Sequence, residues 1–160
     1  MPDPSIRDLL SAPSVSAAFQ ARAEPIPGDL RTPWRVSLLV LILDKCRAGT
    51  ANLQTLQVMW WALRSHRARA QFIRWVDGAQ KPDELIVRFD PSLNESVDLA
   101  IGFKLIARDH LLNLKLTDTG QAFAALIQNA PLIFVDEKAL LSELPRKITQ
   151  ASIRELLEWK

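Results

Sequence analysis

The sequence predicts a mostly α fold with a small β element. Three observations carry this. Apolar residues recur at helical spacing between capping residues, as in Leu53, Leu56, Met59, Trp60 and Leu63. Two short stretches alternate instead, Leu85 to Asp90 and Leu112 to Leu116. The second stops at the corner Thr117-Asp118-Thr119-Gly120, where a helical pattern begins. The central order of helix, helix, helix, strand, helix, strand, helix outlines a winged helix-turn-helix-like domain with N- and C-terminal helical extensions. Its limits are an N-terminal arm over 1–31, partly extended, a winged-helix-like core over 32–129 and a C-terminal helical extension over 130–160.

Each element has its own signals. Five of the ten prolines fall in the arm, which carries isolated Val15 and Phe19 and a short helical stretch, Ile6–Leu10. Thr32 as cap and Pro33 at the first helical position then predict a helix to about Arg47, stopped at Gly49. Its middle, Val36 to Leu43, is apolar all round, so it is enclosed by other helices or by a second protein. It is far short of the roughly 20 residues a bilayer span requires. Asn52 caps the second helix. There Trp60 and Trp61 project about 100° apart, which points to one ring facing a partner as readily as to both in the core. A third helix ends near Gly78. Asp90-Pro91 opens the fourth, which runs to about Ile106. Thr117 or Asp118 opens the next, and a last helix starts near Thr149.

Composition excludes several function classes. With 48% hydrophobic residues in 160, the chain supports a real core. A net charge of +2 is too small for a phosphate-tracking surface over the whole molecule. A single cysteine, Cys46, rules out an internal disulfide, and with only His66 and His110 no metal or cofactor site is expected. The opening MPDPSIRDLL has no basic and apolar leader pattern, so the expected location is the cytoplasm, without a membrane. There is no GxxxxGKS or GxxxxGKT loop, no GxGxxG and no GxSxG, so neither catalysis nor a small-molecule substrate is expected.

The fourth helix is the place a winged helix would read DNA. Leu93, Val97, Ala100, Ile101, Leu105 and Ile106 form its core face. Ser92, Asn94, Glu95, Ser96 and Asp98 face outward, with no base before Lys104, and the strand after it offers only Lys115 beside His110. Acidic groups are a poor match for phosphates. The positive charge lies instead on Arg64, Arg67, Arg69 and Arg74. These form either a phosphate-contacting patch or a face that meets acidic neighbours or a protein partner. Apolar residues in helix 33–47, the Trp60–Trp61 pair and the arm exceed what a monomer commonly exposes, which implies a partner or self-association.

The stretches TPWRVSLLVLILDKCRAGTANLQTLQVMWWALRS, VRFDPSLNESVDLAIGFKLIA and LKLTDTGQAF resemble the middle component of bacterial three-component ABC systems, including Lamassu-type anti-phage defence systems. The resemblance covers about residues 32–128. It rests on Pro33-Trp34-Arg35, the run around Trp61–Arg64, the corner Phe89-Asp90-Pro91 and the exit Leu116-Thr117-x-x-Gly120. It implies a non-enzymatic adaptor that bridges an SMC-like coiled-coil ATPase and an effector, often a nuclease, held inactive until foreign DNA is sensed. Contact of the adaptor itself with DNA would be indirect or weak. Trp34, Arg35, Trp60 and Trp61 are the expected partner interface. The alternatives are a winged-helix transcription regulator, which would need the Arg64–Arg74 cluster for DNA, and a structural subunit of a chromosome-maintenance complex.

Overall fold

The computed structural model describes residues 28–144 and 148–158. The arm readings, including Ile6–Leu10, Val15 and Phe19, lie outside the described residues. The described chain is mostly helical with one small antiparallel sheet. In order the elements are α1 (Gly28–Lys45), β1 (Thr50–Ala51), α2 (Leu53–Leu63), α3 (His66–Val76), α4 (Ser92–Gly102), β2 (Ile106–Arg108), β3 (Leu114–Leu116), α5 (Asp118–Asn129), α6 (Val135–Glu143) and α7 (Gln150–Glu158).

Helix α1 is the axis of the fold. Leu38 through Leu43 are all fully buried. Helices α2, α4, α5 and α6 and strands β1 and β3 pack around it, so its unbroken apolar run is covered by the chain itself. The expectation that Thr32 caps it is corrected, because helical structure already includes Gly28–Arg31 and Pro33 lies inside the helix.

Helix α2 is almost as enclosed. Asn52 caps it by accepting from the Thr55 amide at 2.8 Å, and every residue from Thr55 to Leu63 is buried. Neighbours on several sides, α1, α3 and α7, remove the geometric objection to burying both tryptophans. Trp60 is 2% exposed and Trp61 8%. Trp60 is enclosed, and Trp61 keeps only a small edge, on a surface cleft beside Ser65 and Arg67.

The sheet order is β1-β3-β2, with Thr50 opposite Lys115 and Ile106 opposite Leu116. The predicted strand at 85–90 does not form. Leu85 and Val87 pack half-buried on the core, but no neighbouring strand reaches them, and the third strand is supplied by Thr50–Ala51. The sheet meets α5 at the Thr117 corner. The Thr117 hydroxyl accepts from the Gly120 amide at 3.0 Å and donates to the Lys104 carbonyl at 2.6 Å. A Cβ at Gly120 would come within 1.9 Å of the Leu105 carbonyl oxygen, so only glycine lets α5 sit this close.

The C-terminal helices are not an appendage. Leu140, Leu141, Ile153 and Leu156 belong to the same buried cluster as α1 and α2, so the boundary at residue 129 does not divide the core. Thr149 and Ser152 cap α7 reciprocally, at 3.0 and 3.1 Å. Among the described residues no helix is long and apolar enough to cross a membrane.

Candidate functional site

The two ends of α4 are built differently. At its N-terminal end Asp90 gathers four side chains. Its carboxylate accepts from the Trp60 indole at 3.1 Å, from the Ser92 hydroxyl at 2.6 Å and from the Ser92 amide at 3.1 Å, and it pairs with Arg64 at 3.4 Å. Gln57, buried on α2, grips the Asp90 backbone from both sides, donating to its carbonyl at 3.0 Å and accepting from its amide at 2.9 Å. Arg35 donates to the Ser92 hydroxyl. Burial opposes the charge on Asp90, but the Ser92 and Trp60 hydrogen bonds and the Arg64 charge outweigh it and hold the carboxyl below its ordinary value.

This knot changes the meaning of several sequence candidates. Trp60, Arg64 and Arg35 fasten α1 and α2 to the start of α4. Trp34 alone of the four expected interface residues keeps a large exposed area, at 41%. Its ring meets Trp60 edge-on at 5.9 Å and Phe134 at the same distance, next to the exposed Leu132, Ile133 and Val135.

The arginines do not form one patch. Arg64 is tied to Asp90. Arg67 and Arg74 share a face of α3, about 10 Å apart along its axis, while Arg69 lies about 200° round from Arg67. Arg69 is half-buried, and its Nε has no hydrogen-bond partner.

At the other end of α4 the surface mixes large apolar residues with acids. Leu93, Val97 and Ala100 take the core face as expected, but Ser96 is also buried and bonds back to the Ser92 carbonyl at 3.1 Å. The outward face is therefore Asn94, Glu95, Asp98, Leu99 and, after the helix, Phe103. Arg108 on β2 pairs with Asp98 at 3.2 Å and ties the β2–β3 hairpin to this face. The hairpin tip is closed by Asp109. Its carboxylate accepts from the Leu111 and Asn113 amides, both at 2.8 Å, and from the Asn113 side chain at 3.0 Å. The Asn113 side chain first, then the tip amides and the nearby His110, hold the Asp109 carboxyl below its ordinary value against desolvation. That closure pushes Leu111 and Leu112 outward. Leu112 is 72% exposed and sits in the left-handed region at φ 62°. A leucine there costs roughly 1–2 kcal/mol in a conformation that glycine adopts freely.

Sequence reading missed Leu99, Phe103, Leu111 and Leu112. Leu99 and Phe103 are spaced four apart, which could have set them on one ridge off the core stripe. The exposure of Leu111 and Leu112 depends on the Asp109 closure, which periodicity does not report.

No family model, no curated protein and no solved structure matches this chain. Among the described residues no group of three or more histidine, cysteine, aspartate or glutamate side chains is placed to hold a metal ion. Cys46 is half-buried, and burial pushes its thiol up to about 11.

Proposed function

We propose that this chain is a winged-helix-like adaptor that binds proteins through the face where a DNA-reading relative would bind a duplex. The element order α1-β1-α2-α3-α4-β2-β3 and the sheet order β1-β3-β2 support the winged-helix assignment. In it α4 takes the recognition position and the β2–β3 hairpin is the wing. The single observation that carries the functional reading is the chemistry of this face. Leu99, Phe103, Leu111 and Leu112 are exposed around Glu95 and Asp98, Arg108 is paired with Asp98, and Lys104 and Lys115 are exposed cations nearby, too few and too scattered for a phosphate track. Phosphates call for free cations, whereas apolar residues held out by a rigid turn suit a protein surface.

A bridge needs two contacts, and a second apolar surface is available. Trp34, Phe134 and the exposed Leu132 and Ile133 adjoin the N-terminal end of α4, through the Arg35–Ser92 bond. Phe103 lies about 16 Å further along the helix axis. In the three-component reading, one surface takes the SMC-like ATPase and the other the effector. Arg64 is paired with Asp90 and Arg69 points away from Arg67 and Arg74, which favours the adaptor over a DNA-binding regulator that uses all four.

Leu111→Glu/Leu112→Glu tests the assignment in a tagged pull-down washed at high salt. The expected result is loss of a partner with the fold intact, read by circular dichroism. A variant that keeps every partner overturns the assignment of this face.

A further inference from the structure

A cleft of about 460 Å³ runs between the start of α3 and the extended segment 85–90. Ser65, Arg67, Ala68 and Gln71 line one side, and Glu84, Ile86 and Arg88 the other. Its form follows from the alternation that looked like a strand. Leu85 and Val87 pack on the core, so an extended chain turns Ile86 and Arg88 the other way, into the cleft.

Two features are left unmatched there. Among the described residues Arg67 and Arg88 have no ion pair, although Glu84 shares the cleft. Residues 86–89 make no backbone hydrogen bond to any described residue, and Ile86 is 74% exposed. The segment thus has β-type alternation, a free backbone and two unpaired guanidinium groups beside it.

We propose that this cleft docks an extended acidic segment of a partner protein. The segment pairs its backbone along residues 86–89, as a strand added to an open edge does. A carboxylate lies between Arg67 and Arg88, where charge-assisted bonds to the two guanidinium groups match it. An apolar neighbour two residues along covers Ile86. Nucleic acid fits less well, because Arg74 does not line the cleft, so no cationic track continues beyond the two arginines. This site does not depend on the adaptor reading.

The test uses the full chain and a fluorescein-labelled peptide with aspartate and leucine alternating along one face and threonine on the other. Anisotropy reports binding, and amide exchange by NMR reports residues 86–89. The expected result is saturable binding, at least about tenfold weaker in Arg67→Glu/Arg88→Glu and with asparagine replacing aspartate in the peptide. Lys115→Glu leaves it unchanged, and exchange slows at alternate amides within residues 86–89. Arg67→Gln/Arg88→Gln, checked by thermal melting, separates lost binding from lost folding. No peptide binding, binding that survives loss of both arginines, or a single-stranded oligonucleotide bound in the peptide's place overturns the proposal.

Discussion

The N-terminal end of α4 is a polar knot, and its C-terminal end is an exposed surface that mixes large apolar residues with acids. At the first, Asp90, Trp60, Gln57, Ser92, Arg64 and Arg35 join α1 and α2 to α4. At the second, Leu99, Phe103, Leu111 and Leu112 stand exposed, the two hairpin leucines on a turn closed by hydrogen bonds to Asp109. The contrast teaches that conspicuous residue types do not mark function by themselves. Trp60, Arg64 and Arg35, read as interface or patch residues, are tied into the knot, while Leu99, Leu111 and Leu112 are left exposed.

The contrast predicts that changes at the knot damage folding and changes at the hairpin spare it. Trp60→Ala has the largest expected effect. It empties a fully enclosed site and removes a bond to Asp90, and should cost about 4 kcal/mol in urea unfolding. Gly120→Ala comes next. Its Cβ collides with the Leu105 carbonyl, and the forced shift of α5 should cost about 3 kcal/mol.

Asp90→Ala should cost about 2 kcal/mol, since it strands the Trp60 indole and the Ser92 hydroxyl. The sign of its pH dependence follows from the lowered pKa. Asp90 stabilises the fold fully above its ordinary value of 3.8, and that contribution is lost as pH falls through the lower folded value. Unfolding midpoints followed downward from about pH 4 should therefore fall less steeply in Asp90→Asn than in the parent.

The smallest stability effects are expected at the hairpin. Leu111→Glu/Leu112→Glu should stay within about 0.5 kcal/mol of the parent. Leu112→Gly should raise stability by roughly 0.5 kcal/mol by relieving the left-handed leucine, and should still weaken partner binding. A hairpin variant that unfolds the chain, or a knot variant that leaves it intact, breaks the comparison.

Local signals carried much of the fold. Asn52, Thr117 and the Thr149 region were legible as helix starts because a cap is a contact between near neighbours. The apolar run of α1 was legible as a buried helix. What failed depended on distant partners. Leu85–Asp90 has the alternation of a strand but no strand beside it, and Thr50–Ala51 is a strand only because β3 reaches it. Trp61 looked hard to bury until α2 proved to be surrounded. For the site, Trp34 was named only through the resemblance around Pro33-Trp34-Arg35, and its exposure is seen in the structure. The α4 and hairpin face was half legible: its acids were read from the sequence, but its leucines were not.

The most direct test of the central claim is a tagged chain recovered from its native host at high salt, parent and Leu111→Glu/Leu112→Glu side by side, with mass spectrometry of what remains bound. The account predicts that a coiled-coil ATPase and an effector stay with the parent and that the variant, still folded, loses at least one. A parent that comes down alone or as a homodimer, or a variant that retains both partners, would contradict it.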